Sequence, residues 1–219
     1  MSATPLSAAS IVAMLFHSQL LVRIPYPKSD FSGQTIIVTG SNTGLGLEAA
    51  RHLVRLGASK VILAVRTKAK GEAAAADILA STRAAKNVID VWELDLSSYD
   101  SIKAFGKRVQ QLERLDALIQ NAGVLSLEYK ITNGEEAHLA VNVIGAVLLG
   151  LLVLPKLRES AAKFNTRTRL SFVGSDAMYM AKGKGLNTEN LFDRLRRKEG
   201  LSAGDLYGIH VALLLSSKD

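Results

Sequence analysis

Short apolar runs alternate with longer amphipathic stretches along most of the chain. Residues 34–40 read QTIIVTG, a β-branched run ending in glycine, which predicts a buried strand and its exit turn. Leu45, Ala49, Leu53 and Leu56 then mark a helical stripe. KVILAVR at 60–66 predicts a second strand, and the alanine-rich residues 71–81 a helix by propensity. VIDVWELDL at 88–96 predicts a third strand, residues 101–112 a helix, and 115–123 contain a fourth strand. Residues 135–157 predict one long, strongly apolar helix, and RLSFVGS at 169–175 a fifth strand. A polar, Gly- and Lys-rich stretch follows over 177–203, with a short helix near Leu191–Arg197. A last apolar helix is predicted from about Ala203.

Regular β-α alternation with apolar strands predicts an α/β fold: a Rossmann-type doubly wound parallel sheet with helices on both faces. Residues 1–31 read as an N-terminal extension with a short apolar helix, and 32–219 as a single domain. Ligands of such sheets bind beyond the carboxyl ends of the strands, so the residues after each strand carry the chemistry.

Composition narrows the classes. The 219 residues contain no cysteine, which excludes a disulfide-stapled module and cysteine-ligated zinc or iron–sulfur sites. No metal-ligand pattern is read elsewhere. The formal charge is +7, but residues 1–150 carry 15 basic and 13 acidic side chains and residues 151–219 carry 12 and 7. The densest cluster, Arg194 to Lys198, is flanked by Asp193 and Glu199 and has no interleaved aromatics. It reads as a solvated helix face, and nucleic acid is not expected as a partner. Residues 8–22 are apolar but too short and too polar for a membrane span. Their first charged side chain, Arg23, follows the run, against the order of a secretory signal. The expectation is a short helix packing on a cytoplasmic domain before Pro25-Tyr26-Pro27, with peripheral membrane contact as the alternative.

The strand ends hold the candidate site. Thr39, Gly40, Asn42, Thr43, Gly44, Leu45 and Gly46 follow the first strand and open a helix. In that context glycine permits close backbone approach to a pyrophosphate, and the helix offers free N–H groups and a positive dipole end. The second strand ends at Arg66, where an NAD site usually places an acid; a guanidinium suits the 2′-phosphate of NADP, and Lys70 adds to the field. Asp95 and Leu96 end the third strand, where the adenine ring would sit. Asn121, Ala122 and Gly123 end the fourth with small residues that admit the cofactor.

Together these residues resemble the short-chain dehydrogenase/reductase family. The Thr-Gly-three residues-Gly-one residue-Gly pattern at 39–46 and Asn121-Ala122-Gly123 carry the likeness, which runs from about Ser32 to Tyr207. The N-terminal extension and KVILAVR resemble the fungal, retinol-dehydrogenase-like branch. The resemblance implies NADP as cofactor and a small carbonyl or alcohol as substrate. It also places the family's catalytic residues at Asn142, Ser175 and Tyr207. Asn142 would hold a water in the proton relay, Ser175 would hydrogen-bond the substrate oxygen, and Tyr207 would move the proton beside the cofactor.

Two departures limit that expectation. The family's lysine, four residues after the tyrosine, is here Val211, which supplies neither charge nor donor. His210 is one residue out of place, and a structural or surface role is expected for it. Five strands are read where the doubly wound order has six, so the chain reads as truncated at its C-terminus, with its last strand or strands and substrate region absent. The fifth strand would then be a bare edge, and one face of the long helix uncovered; both favour association, including a homo-oligomer. Ser217-Lys218 repeats the family's Ser-Lys pair seven residues late, and we read residues after about Tyr207 as altered by splicing or frame. The alternative function is an inactive NADP-binding or degenerate member.

Overall fold

The structure is a computed structural model. It describes residues 10, 13, 16–18, 20–23, 25–126, 128–175, 191–197, 202 and 206–211. Most of the polar stretch at 177–203 and the end of the last helix lie outside the described residues.

Five parallel strands form the sheet in the order β3-β2-β1-β4-β7. They are β1 (Thr35–Thr39), β2 (Lys60–Val65), β3 (Ile89–Glu93), β4 (Ala117–Gln120) and β7 (Arg169–Phe172). Four helices connect them: α1 (Gly44–Arg55), α2 (Lys68–Thr82), α3 (Tyr99–Gln110) and α4 (Ala146–Lys163). The order reverses between β1 and β4, which makes that crevice the switch point of the sheet.

The strand period of two explains why both faces are apolar. Ile36 and Val38 point to one face and pack with Leu53, Val54 and Ile78 of α1 and α2. Ile37 points to the other and packs with Leu118, Phe105 and Leu149 under α3 and α4. Residues 139–163 form one continuous helical rod that contains an 18-residue stretch of mean hydropathy 2.1, long and apolar enough for a membrane span. Half of that stretch is buried in the protein, the pattern of a core helix.

At the amino ends of the strands, Asp116 ties three of them together. Its backbone N–H donates to the Thr35 carbonyl and its own carbonyl accepts from Arg169 N–H, both at 2.8 Å. Its side chain is 3% exposed, and Oδ2 accepts from Thr35 N–H at 2.8 Å. The Arg114 guanidinium closes the pair through Nε and Nη2 at 2.8–2.9 Å.

One predicted element is corrected. The helix expected over 135–157 does not start at Glu135. Ile131–Thr132 (β5) and Glu135–Glu136 (β6) form a small hairpin, closed by Asn133 (φ 53°) and Gly134 (φ 79°). Asn-Gly with both residues at positive φ is the two-residue turn that matches strand twist. A π-helical segment, Leu139–Gly145, follows and leads into α4, which runs on to Lys163 rather than ending at Leu157.

The N-terminal helix is present at described residues 16–18 and 20, but Phe16, Leu20 and Leu21 are 61–67% exposed rather than packed on the domain. Tyr26 makes the contact instead, edge-on to His52 and beneath the Arg55 guanidinium. Among the described residues no strand pairs with the outer side of β7, and Val147 and Leu151 of α4 are exposed.

Replacing Asp116 with Ala leaves the Thr35 N–H and the Arg114 charge without their acceptor. We expect a loss of about 2–4 kcal/mol in urea unfolding. A change below about 0.5 kcal/mol would show that the stitch contributes no more than an ordinary surface pair.

Candidate active site

At the other end of the sheet, β1 and β4 are drawn together by one hydroxyl. Thr39 Oγ1 accepts from the N–H groups of Asn121 and Ala122 at 3.0 and 2.9 Å. Asn121 Nδ2 donates back to the Thr39 carbonyl at 3.0 Å. Gly40 sits at φ +64°, and a Cβ there would stand 2.9 Å from Ala122 Cα. At Gly46 an added Cβ would lie 2.5 Å from the Gly40 carbonyl and would also meet the Asn121 amide. These two glycines serve internal packing. Gly44 differs: a Cβ would meet nothing within 4 Å, so its face is open to whatever approaches. Thr43 makes no side-chain cap, which leaves the first N–H groups of α1 facing outward.

Two clefts meet at this crevice and share Ala122, Gly123 and Val124. The larger, about 340 Å³, is lined by Leu45, Asn121, Asn142, Ser175, Tyr207 and Val211 among others. The smaller, about 220 Å³, is lined by Gly40, Asn42, Arg66, Asp95 and Leu96. Thr39 and Gly46 lie behind the clefts as supports. Thr43, Gly44 and Lys70 are exposed and line neither. Among the described residues, neither Arg66 nor Lys70 pairs with an acid, so both charges remain free. Asp95 is engaged locally: its Oδ1 accepts from Ser97 N–H at 2.8 Å and from the Ser97 hydroxyl at 2.6 Å.

Asn142 sits in the π-helical segment, and its amide bonds the Val124 backbone twice. Oδ1 accepts from Val124 N–H at 2.8 Å, and Nδ2 donates to the Val124 carbonyl at 2.9 Å. The side chain therefore clamps the floor shared by the two clefts; an amide has a second N–H and a second lone pair, so this clamp does not displace the water-holding role expected from the sequence. π-Bulges of this kind recur where a helix must present a residue out of register.

The helical residues 206–211 present Tyr207 to the larger cleft. Leu206 and Ile209 bury against Leu139 and Leu195, a small separate core. Leu195 belongs to a further helix, α5 (Leu191–Arg197), which Arg196 pins to Glu135 at 2.6 and 2.9 Å. Val211, one turn past Tyr207, is buried and also lines the cleft. Lysine's place on that face is thus taken by an apolar side chain.

Beneath Tyr207 lies a group that sequence reading missed. Glu136, His138 and His210 are each at most 1% exposed, and their ligating atoms lie within 4.8 Å of one another. Glu136 Oε2 accepts from the N–H groups of His138 and Leu139, and Oε1 lies 2.7 Å from His138 Nδ1. Burial works to raise the Glu136 carboxyl, but the bonds donated by the His138 ring and by the two backbone N–H groups hold it below its ordinary value. Burial pushes the His210 imidazole down to about 4, against the pull of Glu136. His210 is therefore buried rather than on the surface. The signal available in sequence was His138, four residues before Asn142 and so on the same helical face.

The comparisons with known proteins agree with this geometry. A profile described as "short chain dehydrogenase" matches residues 34–176. The chain belongs to the short chain dehydrogenase family. It is 50% identical over 161 residues to the short chain dehydrogenase/reductase dmxR8 of Cryptosporiopsis, covering 73% of this chain and 50% of that protein. It is 40% identical over 205 residues to the short-chain dehydrogenase anuD of Penicillium roqueforti, covering 93% of this chain and 53% of that one. The chain thus spans about half the length of these relatives. Among solved structures, a metagenomic short-chain oxidoreductase crystallised with NADP is 28% identical, with a TM-score of 0.63 over 86% of this chain and 74% of its own. The oxidoreductase yciK of E. coli, 24% identical with a TM-score of 0.62 over 86% of this chain and 70% of its own, shares the fold.

Thr39→Val removes the acceptor of two amide N–H groups at the crevice. It should cost roughly 2–4 kcal/mol of stability. Chemical unfolding of both proteins measures this; an unchanged midpoint would mean that water replaces the hydroxyl.

Proposed function

We propose that this short chain dehydrogenase binds NADP(H) across the two clefts and transfers hydride between it and a carbonyl or alcohol carbon. The observation that carries the reading is the open glycine turn and uncapped α1 N-terminus beside an unpaired Arg66. Free N–H groups, a positive dipole end and room for close approach suit a pyrophosphate. A guanidinium at the end of β2 suits a 2′-phosphate and disfavours the NAD alternative. The metagenomic relative crystallised with NADP supports the same choice.

When bound, the cofactor supplies or accepts the hydride at its nicotinamide. The chain's own residues handle the oxygen. Ser175 would hydrogen-bond the substrate oxygen and orient the carbonyl. The Tyr207 phenol would donate its proton to that oxygen in reduction and recover it in oxidation. Asn142 acts at one remove, by holding Val124 and the floor on which the reacting groups lie.

A second reading rests on Val211. A phenol has an ordinary pKa of about 10, and proton transfer near neutral pH wants a cation close by. Val211 provides none, and on this reading the chain binds the dinucleotide without turning it over. NADPH fluorescence titration, followed by NADPH oxidation with a panel of ketones and aldehydes, separates the two. Turnover that Tyr207→Phe abolishes while binding persists supports the first reading. Binding without turnover supports the second, and no NADPH binding sinks both.

Arg66→Ala should weaken NADPH roughly tenfold or more while leaving NADH within about twofold, since only the former carries the 2′-phosphate. Equal losses for both cofactors would remove Arg66 from phosphate recognition.

A further inference from the structure

The Glu136–His138–His210 cluster is not explained by packing alone. A carboxylate and two imidazoles are enclosed together, and among the described residues no Lys or Arg pairs with Glu136. Buried polar groups normally find partners, and a buried negative charge normally finds a positive one. Here neither ring nitrogen of the fully buried His210 makes a well-formed hydrogen bond. Its Nε2 points at Glu136 Oε2 from 3.3 Å. The His138 and His210 rings stack at 5.7 Å with 22° between their planes. His210 also lies against the larger cleft, so the cluster adjoins it.

We propose that Glu136, His138 and His210 form a binding site for a divalent cation of the zinc class. Two imidazole nitrogens and one carboxylate oxygen make a borderline donor set that suits zinc better than magnesium or calcium, which prefer oxygen shells. Three protein ligands leave the fourth position open. The carboxylate keeps its bonds from the His138 and Leu139 backbone while Oε1 and the rings turn to the ion. His138 has one cost to meet. Its Nε2 accepts from Ser126 N–H at 3.0 Å, so its proton now sits on Nδ1, facing Glu136. Ligation through Nδ1 moves that proton to Nε2 and gives up the Ser126 bond.

The His138 ring meets the Tyr207 ring edge-on at 6.1 Å. A cation held there would place positive charge near the Tyr207 ring, a charge that Val211 does not supply. That consequence rests on the hydride-transfer reading; the site itself does not, and its test needs no activity.

Tag-free protein is dialysed against chelator and titrated with zinc. Metal content after gel filtration should reach about one zinc per chain. Cobalt in place of zinc should give the intense visible absorption of a four-coordinate ion. His210→Gln, which does not touch the bonds that cap the helix, should weaken zinc more than about tenfold with the fold retained by circular dichroism. Glu136→Gln should do the same, though its helix-capping role makes it the less safe variant. No stoichiometric uptake by the unaltered chain would overturn the proposal. So would only the weak absorption of six-coordinate cobalt, or uptake that His210→Gln leaves unchanged. These results are independent of NADPH titration, so failure here and failure of the cofactor reading are told apart.

Discussion

The distance between β1 and β4 at their carboxyl ends governs the rest of the molecule. Thr39 fixes it by serving two backbone donors of the neighbouring strand with one oxygen. Only glycine fits at position 40, because the Ala122 backbone already fills the space a side chain would take. The glycine turn then stays close to the sheet, α1 begins against it, and the two clefts meet over Ala122–Val124. A wider gap would merge the clefts into a trough and separate Arg66 from Tyr207 in function as well as in space. Hydrogen bonding and steric exclusion thus act in the same direction, which is how a short loop holds one shape.

A different balance operates on the Tyr207 side. Buried Gln120 ends β4 there, and Glu136 and two histidines are enclosed beyond it. Glu136 caps the helical rod that carries Asn142, so the carboxylate has a structural use in any state of the site. His210 has no comparable use, since its nitrogens are poorly served and its enclosure holds it neutral near pH 7. Strain of this polar kind tends to persist where something other than stability has shaped the position.

Much of the fold was legible because apolar strands and helical stripes are local patterns. The five parallel strands, the glycine turn and the free Arg66 all follow from residues close in sequence. The hairpin at 131–136 was not read, although Asn133-Gly134 is a strong turn signal, because Glu135 and the apolar run after Gly134 also suit a helix. The π-helical register around Asn142 leaves no mark in composition. Asn142 lines the larger cleft, but its amide could not be assigned to Val124 without the fold, since the two are eighteen residues apart. The Glu136–His138–His210 cluster is invisible for the same reason: closing it takes the whole path from the hairpin to the last helix. Lys70 is close in sequence to the end of β2, yet it is exposed and lines neither cleft.

The Asp116 stitch sits at the opposite end of the sheet from every cleft residue. Strands of four to six residues put roughly 13–20 Å between the two ends. The scaffold's strongest polar tie is therefore insulated from the loops that shape a ligand's surroundings. Those loops are free to diverge between related chains, lengthening or changing character, while the order and spacing of the strands beneath them stay the same. Divergence of specificity and retention of the fold are thereby assigned to different ends of one sheet.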